Sequence, residues 1–250
     1  MAIYREPQKI VRYLEDWIGE KFAASGASGA VLGISGGIDS SVLAALLAET
    51  IGADRVTGLI MPCGSLPVDE EYALLLAKAI HINTLKIDLT SAYEAMAETV
   101  KSSLPELSGL ALANIKPRLR MTALYAVGQQ KRCLVFGGSN KDEIEMGYFT
   151  KYGDSGVDLL PMADLLKGEV WALGKYLGVP KEIIERAPTA GLWEGQTDEQ
   201  EMGITYNELD NFLATGCGSR ALTEKVCSAQ KRTAHKREFP PMAKLPKNIK

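Results

Sequence analysis

An apolar run, Ala30–Ile34, stops at Ser35-Gly36-Gly37-Ile38-Asp39-Ser40-Ser41, and a second apolar run begins at Val42. The first run has the length and character of a buried strand. The second, from about Asp39 to Ile51 and stopped by Gly52, reads as a helix. Two adjacent glycines in the joint permit backbone conformations closed to other residues and let a ligand approach closely. Successive N–H groups in such a bend form a concavity for an anion. The unpaired N–H groups at the helix start aim at the same place, and Ser35, Ser40 and Ser41 add hydroxyls. The bend therefore suits phosphate, and pyrophosphate above all. It is neither GxxxxGK[ST] nor GxGxxG. Asp39 is the informative residue, because a carboxylate repels phosphates unless a cation lies between them. Mg²⁺ takes a few carboxylates together with phosphate oxygens, so Asp39 reads as its ligand. Capping the helix is the competing role, and the surrounding serines and glycines favour the metal.

The rest of the chain repeats the alternation. Strands are expected at 55–61, 83–89 and 133–136, and helices at 69–80, 91–102 and 112–130. An amphipathic helix over 4–22 precedes the first strand, with Ile10, Tyr13, Leu14, Trp17 and Ile18 at helical spacing. Strands alternating with helices predict an α/β fold, an open doubly wound parallel sheet with flanking helices. Ligands bind such sheets at the carboxyl ends of the strands. Two of those ends are glycine pairs, Gly36-Gly37 and Gly137-Gly138. Beyond residue 147 a polar and aromatic connection leads to helices expected at 167–177, 206–214 and 219–231. The aperiodic stretch 185–204 reads as a long loop of the functional kind. The expectation is one unit over 1–250: the N-terminal helix 4–22, a core over 30–147, and substrate-binding loops and helices over 148–250.

Composition narrows the function classes. Apolar residues make up 46% and charged residues 24% of 250, ordinary for a globular chain. A net charge of −3 argues against a surface built for nucleic acid. No apolar run approaches the ~20 residues needed to span a membrane. The start lacks a secretory pattern, so a cytoplasmic location is expected. Cys63, Cys133, Cys217 and Cys227 form no CxxC pair and predict neither a zinc site nor a disulfide framework.

The motif SGGIDSS resembles the loop of the ATP pyrophosphatase, or PP-loop, enzymes. Further segments narrow the resemblance: NIKPRLRM at 114–121, GGSNKDE at 137–143, FTKYGDSGVDLLPMADLLK at 149–167, APTAGL at 187–192 and HKR at 235–237. In this order they are similar to the NAD synthetases of the short, ammonia-dependent kind, and a chain of this length has no room for the glutaminase domain of the long kind. The resemblance implies an adenine nucleotide alpha hydrolase-like fold, ATP as co-substrate, Mg²⁺ as cofactor and a homodimer. It implies that ATP adenylates the carboxylate of deamido-NAD, releasing pyrophosphate, and that ammonia then displaces AMP.

Residue by residue, the resemblance places ATP against Gly33, Ile34, Ser35, Gly36, Gly37, Ile38, Asp39, Ser40, Met61, Arg120, Gly138, Lys167 and Thr189. It places deamido-NAD against Arg118, Lys151, Asp158, His235 and Lys236, and the metal on Asp39 and Glu143. Asp39, Lys151 and Asp158 are the expected catalytic residues. Gly138 stands where the family usually has threonine. The stretch 190–202 is expected to close over the substrates. The competing classes are another PP-loop amidotransferase or thiolase, and a universal-stress-like protein that holds ATP without turnover.

Overall fold

The computed structural model describes residues 4–189 and 197–246. Four strands, β1 (Gly29–Gly33), β2 (Val56–Ile60), β3 (Asn83–Lys86) and β4 (Cys133–Phe136), form a parallel sheet in the order β3-β2-β1-β4. Leu32 pairs with Gly58 on one side and Phe136 on the other. The chain steps outward from β1 to β3, then crosses back to lay β4 on the far side of β1. The reversal leaves a crevice at the carboxyl ends of β1 and β4, where both glycine pairs lie.

The helices are α1 (Pro7–Ser25), α2 (Ile38–Ile51), α3 (Pro67–Ala79), α4 (Thr90–Ser103), α5 (Gly109–Ala113), α6 (Ile115–Lys131), α7 (Lys141–Met146), α8 (Lys167–Tyr176), α9 (Lys181–Ile184), α10 (Asp198–Met202), α11 (Tyr206–Thr215) and α12 (Arg220–Arg237). Alternation along β1 sorts the layers: Ala30 and Leu32 join a core with α1, α2, α3 and α8, whereas Val31 joins a second with Leu124 of α6. α2 is buried almost all round, which its near-continuous apolar sequence requires. A third cluster, of Met146, Met202, Tyr206, Leu209 and Val226, holds α7, α10, α11 and α12 together. Among the described residues no helix is long and apolar enough to cross a membrane.

The differences from expectation are local. Residues 4–6 are not helical, and α1 starts at Pro7. A proline suits the first helical position and disfavours helix in the residue before it. The helix expected over 112–130 is divided at Asn114 into α5 and α6. The expected loop contains α10, capped by the Thr197 hydroxyl. α12 runs on to Arg237 and so includes His235 and Lys236.

Candidate active site

The bend after β1 closes on its own hydroxyls. Ser40 Oγ and Ser41 Oγ donate to the Gly37 carbonyl at 3.1 and 2.8 Å, and Ser35 Oγ lies 3.1 Å from Ser40 Oγ. Gly36 has a φ of 75°, and a Cβ there would meet the Asp69 carbonyl oxygen at 2.5 Å. Only glycine fits. The bend opens onto a cleft of about 1310 Å³. Gly33, Ile34, Ser35, Gly37, Ile38 and Ser40 line its floor; Gly36 does not. Met61 and Arg120 stand beside them, with Arg120 Nε donating to the Met61 carbonyl at 3.2 Å and Nη2 to Ser65 Oγ at 3.3 Å. Gly138 and Thr189 line the same cleft.

Asp39 and Glu143 face one another across this floor. Asn140 caps α7 in a reciprocal box with Glu143, and its Nδ2 donates to Asp39 Oδ1 at 2.8 Å. Lys167 Nζ donates to Asp39 Oδ2 at 2.5 Å and lies 3.9 Å from Glu143 Oε1. The lysine is only 1% exposed, with its ammonium 4.9 Å from the centre of the Tyr206 ring. Burial alone would lower its pKa, but Asp39 and Glu143 outweigh burial and keep it charged. Burial, then the Asp39 charge, pushes the Glu143 carboxyl well above its ordinary range. Such a pair of hard oxygen donors facing a phosphate-type bend fits Mg²⁺, which takes one or two carboxylates plus phosphate oxygens. Among the described residues no three of His, Cys, Asp and Glu converge as a zinc site would need.

The sequence profile of NAD synthase matches residues 10–240. The chain belongs to the NAD synthase family. The NH(3)-dependent NAD(+) synthetase of Carboxydothermus hydrogenoformans is 47% identical over 93% of this chain and 96% of its own length. Among solved structures, the NMN synthetase of Francisella tularensis superposes with a TM-score of 0.91 at 40% identity, covering 96% of this chain and 100% of that one. The NH3-dependent NAD synthetase of Campylobacter jejuni superposes with a TM-score of 0.79 at 30% identity, again over 96% and 100%.

In this member of the NAD synthase family Lys167 is held from behind by remote residues. Its backbone N–H donates to Asp142 at 2.9 Å and Asp210 at 3.1 Å, and the next N–H, of Gly168, donates to Asp210 at 2.9 Å. Burial and the neighbouring Asp210 push Asp142 up to about 8. Tyr4 donates to Asp210 at 2.7 Å, with its ring over the space a Cβ on Gly168 would take. Arg5 grips buried Glu169 through Nε at 2.8 Å and Nη2 at 2.6 Å. Residues 4–6 are thus a strap across the first turn of α8. A lysine at a helix start opposes the dipole; here Asp210 and Glu169 accept the N–H groups at that start and offset it.

The residues expected to hold the second substrate are arranged less directly. His235 and Lys236 line the cleft, whereas Arg118, Lys151 and Asp158 do not. Lys236 donates to the carbonyls of Gly147 and Phe149 at 2.8 and 2.7 Å, and Lys151 donates to the His235 carbonyl at 2.5 Å. These lysines tie α12 to the segment 147–151. Arg118 donates to the carbonyls of Lys151 and Asn114 at 3.3 Å each. Asp158 accepts from Val135 N–H at 2.8 Å and from Tyr125 at 3.0 Å, on the exposed side of β4 and α6. Residues 190–196, part of the expected lid, lie outside the described residues. Asn140, Tyr148, Arg186 and Asp198 also line or close the site, and sequence reasoning missed them. Only Asn140 had a readable signal, the N-x-x-E capping pattern. Cys63 is buried, and burial pushes its thiol up, the environment of a packing cysteine.

Proposed function

We propose that this chain forms NAD from deamido-NAD, ATP and free ammonia. A ligase that forms a carbon–nitrogen bond is what the family membership establishes. The single observation carrying the finer reading is the Asp39–Lys167–Glu143 cluster beside the serine- and glycine-built bend at the β1–β4 crevice, where the Ser35 and Gly37 N–H groups rest on the Ser40 and Ser35 hydroxyls until a phosphate takes their place. The bend holds the β- and γ-phosphates through its N–H groups. Asp39 and Glu143 would hold Mg²⁺, which when bound neutralises charge between the phosphates. Lys167 keeps the two carboxylates together and adds a positive charge beside them. The pyridine carboxylate oxygen attacks the α-phosphorus, the bond to the bridging oxygen breaks, and pyrophosphate leaves. Ammonia then attacks the acyl carbon, loses a proton, and AMP leaves with the carboxylate oxygen. The cleft keeps bulk water from the mixed anhydride between these steps.

Met61 and Arg120 border the nucleotide, and Thr189 closes its other side. His235 and Lys236 present the far wall to deamido-NAD. A homodimer accounts for Arg118, Lys151 and Asp158, which lie outside the cleft lining, Asp158 bonded to the exposed Tyr125 of α6. A second copy against that face would bring them to a substrate. Free thiols fit a reducing, cytoplasmic setting, and the whole chain is read as one unit.

A second reading concerns the substrate alone. The superposition on the Francisella tularensis NMN synthetase favours a mononucleotide, which presents the same pyridine carboxylate without an adenylate half. The test of both is one assay. Enzyme, ATP, Mg²⁺ and ammonium are mixed with deamido-NAD or with nicotinate mononucleotide, and pyrophosphate and the amide product are measured. Turnover of deamido-NAD with the higher kcat/KM supports the first reading; a preference for the mononucleotide replaces it with the second. Turnover of neither would defeat both.

A further inference from the structure

Arg186 stands where the chain leaves α9 for the Ala187–Thr189 stretch of the cleft wall, and no role above uses it. Its guanidinium reaches three groups. Nη2 meets Asp69 Oδ1 at 2.5 Å, Nη1 donates to the Gly36 carbonyl at 3.4 Å, and the guanidinium lies 5.5 Å from the centre of the Tyr72 ring. The pair is largely sheltered, with side chains 18% and 21% exposed. Asp69 is itself fixed, because its other oxygen accepts the Leu66 N–H at 3.0 Å and so caps α3.

We propose that Arg186 is a positioning residue for the pyrophosphate-holding bend, acting through the Gly36 carbonyl. A bend holds an anion only while its N–H groups face the ligand and its carbonyls face away. Ser35 and Gly37 line the cleft and Gly36 does not; its carbonyl points to Arg186. A peptide flip at Gly36 is sterically open to glycine and would turn a negative end toward the phosphates. Arg186, at the cleft's edge, opposes that flip by holding the carbonyl in its present direction, and Asp69 and Tyr72 keep Arg186 in place. Thr189 follows on the same short segment, so the clamp also fixes the distance between that wall and the bend. Gly36 packs so closely on the Asp69 backbone that α3 is the anvil for both.

The inference rests on the reading that the leaving pyrophosphate of ATP sits in this bend. Its test compares wild type with Arg186→Ala, Arg186→Lys and Asp69→Asn. The constants measured are KM for ATP, KM for the second substrate, the inhibition constant of inorganic pyrophosphate, and the melting temperature. Arg186→Ala is expected to raise the ATP and pyrophosphate constants about tenfold, the size of one charge-assisted hydrogen bond, and to leave the second-substrate KM within about twofold. Arg186→Lys restores part of the loss, and Asp69→Asn falls between. A folded Arg186→Ala with unchanged pyrophosphate inhibition overturns the inference, as does a uniform shift of all constants. Where Arg186→Ala melts too early to assay, Arg186→Lys and Asp69→Asn decide by the same comparison. Calorimetric binding of inorganic pyrophosphate to wild type and variants needs no turnover. Its weakening in the variants supports the clamp even if wild type fails to amidate, and that failure would count against the activity reading alone.

Discussion

At the β1 end of the cleft charged groups answer one another, whereas at the α12 end cations answer backbone carbonyls or, among the described residues, nothing. Asp39 is bonded by Asn140 and Lys167, and Arg186 by Asp69. Lys236 and Lys151 instead spend their donors on main-chain oxygens. Arg232 lines the cleft one turn before Lys236 and makes no hydrogen bond or ion pair among the described residues. Burial, with Arg232, Arg118 and Arg237 nearby, holds the Lys236 pKa below its ordinary value even against Asp154. The contrast separates two ways of meeting an anion. One end balances its buried charges internally before any ligand arrives. The other accumulates positive charge that a substrate phosphate would relieve.

The contrast breaks most visibly at Asp39. Asp39→Asn keeps the size of the side chain but leaves Lys167 without its close partner and removes one of the two carboxylates proposed to hold Mg²⁺. We expect kcat to fall on the order of 10³-fold, with the circular dichroism spectrum unchanged. Pyrophosphate release within about tenfold of wild type would show that the internally balanced end is not where the charge of ATP is met.

Arg5 tests whether that end is held from behind. Arg5→Ala leaves the carboxylate of buried Glu169 without its bidentate partner. Breaking a buried pair costs roughly 3–5 kcal/mol; Arg5 is half exposed, so about 2 kcal/mol is expected here. Burial pushes Glu169 up, but bonds from Arg5 and the Leu166 N–H outweigh it and hold the carboxyl below its usual range. A carboxylate lowered in the folded state adds stability above its unfolded pKa and loses it as pH falls through the folded value. The gap between wild type and Arg5→Ala in urea unfolding should therefore be full at neutral pH and shrink below about pH 4. A gap that stays constant down to acid would assign the strap's effect to packing of Tyr4 and Arg5 rather than to charge.

How far these regions could be read from the chain alone follows the same line. The bend, its strand and its helix were legible because glycine pairs and apolar periodicity are local signals. β4 lies at Cys133–Phe136 as the pattern predicts, and Asp39 and Glu143, the two carboxylates the sequence singles out, line one cleft. The supports were not legible. Tyr4 and Arg5 continue a helical pattern, and only the proline after them hints otherwise. Arg186 and Asp210 are single charged residues whose partners lie far away in sequence. α7 and α10 are too short for a period to show. The far end reads as a set of substrate ligands, and the fold adds that its lysines bond carbonyls within the chain. Residue type announces a donor, and only the fold shows what it donates to.

Arg232 sharpens the comparison from the open end. Its removal costs no internal bond, so stability should stay within about 0.5 kcal/mol. The KM for the second substrate should rise about tenfold, as for loss of one arginine–phosphate contact, while the KM for ATP holds steady. Arg232→Lys should recover only part of this, because a lysine lacks the paired donors. Equal KM values for both substrates in Arg232→Ala and wild type would mean that the surplus charge at α12 serves packing of the helix rather than an anion.

The smallest effect is expected at Gly138, where the two strand ends meet. A Cβ there would sit 3.5 Å from the Asp39 backbone, ordinary contact, whereas one on neighbouring Gly137 would meet Leu160 Cδ2 at 2.7 Å. Gly137 is held to glycine by packing, and Gly138 is not. Gly138→Thr should therefore fold with stability within about 0.5 kcal/mol of wild type and place a hydroxyl on the floor of the cleft. Because that end already balances its own charges, one more neutral donor has little left to satisfy. The KM for ATP should fall by no more than about twofold, well under the worth of a full hydrogen bond. A larger gain, of tenfold, would mean that the floor around Asp39 is less complete before ATP binds than its internal bonds suggest. Gly137→Ala, by contrast, should lower the melting temperature while leaving the ATP constant of the folded fraction unchanged.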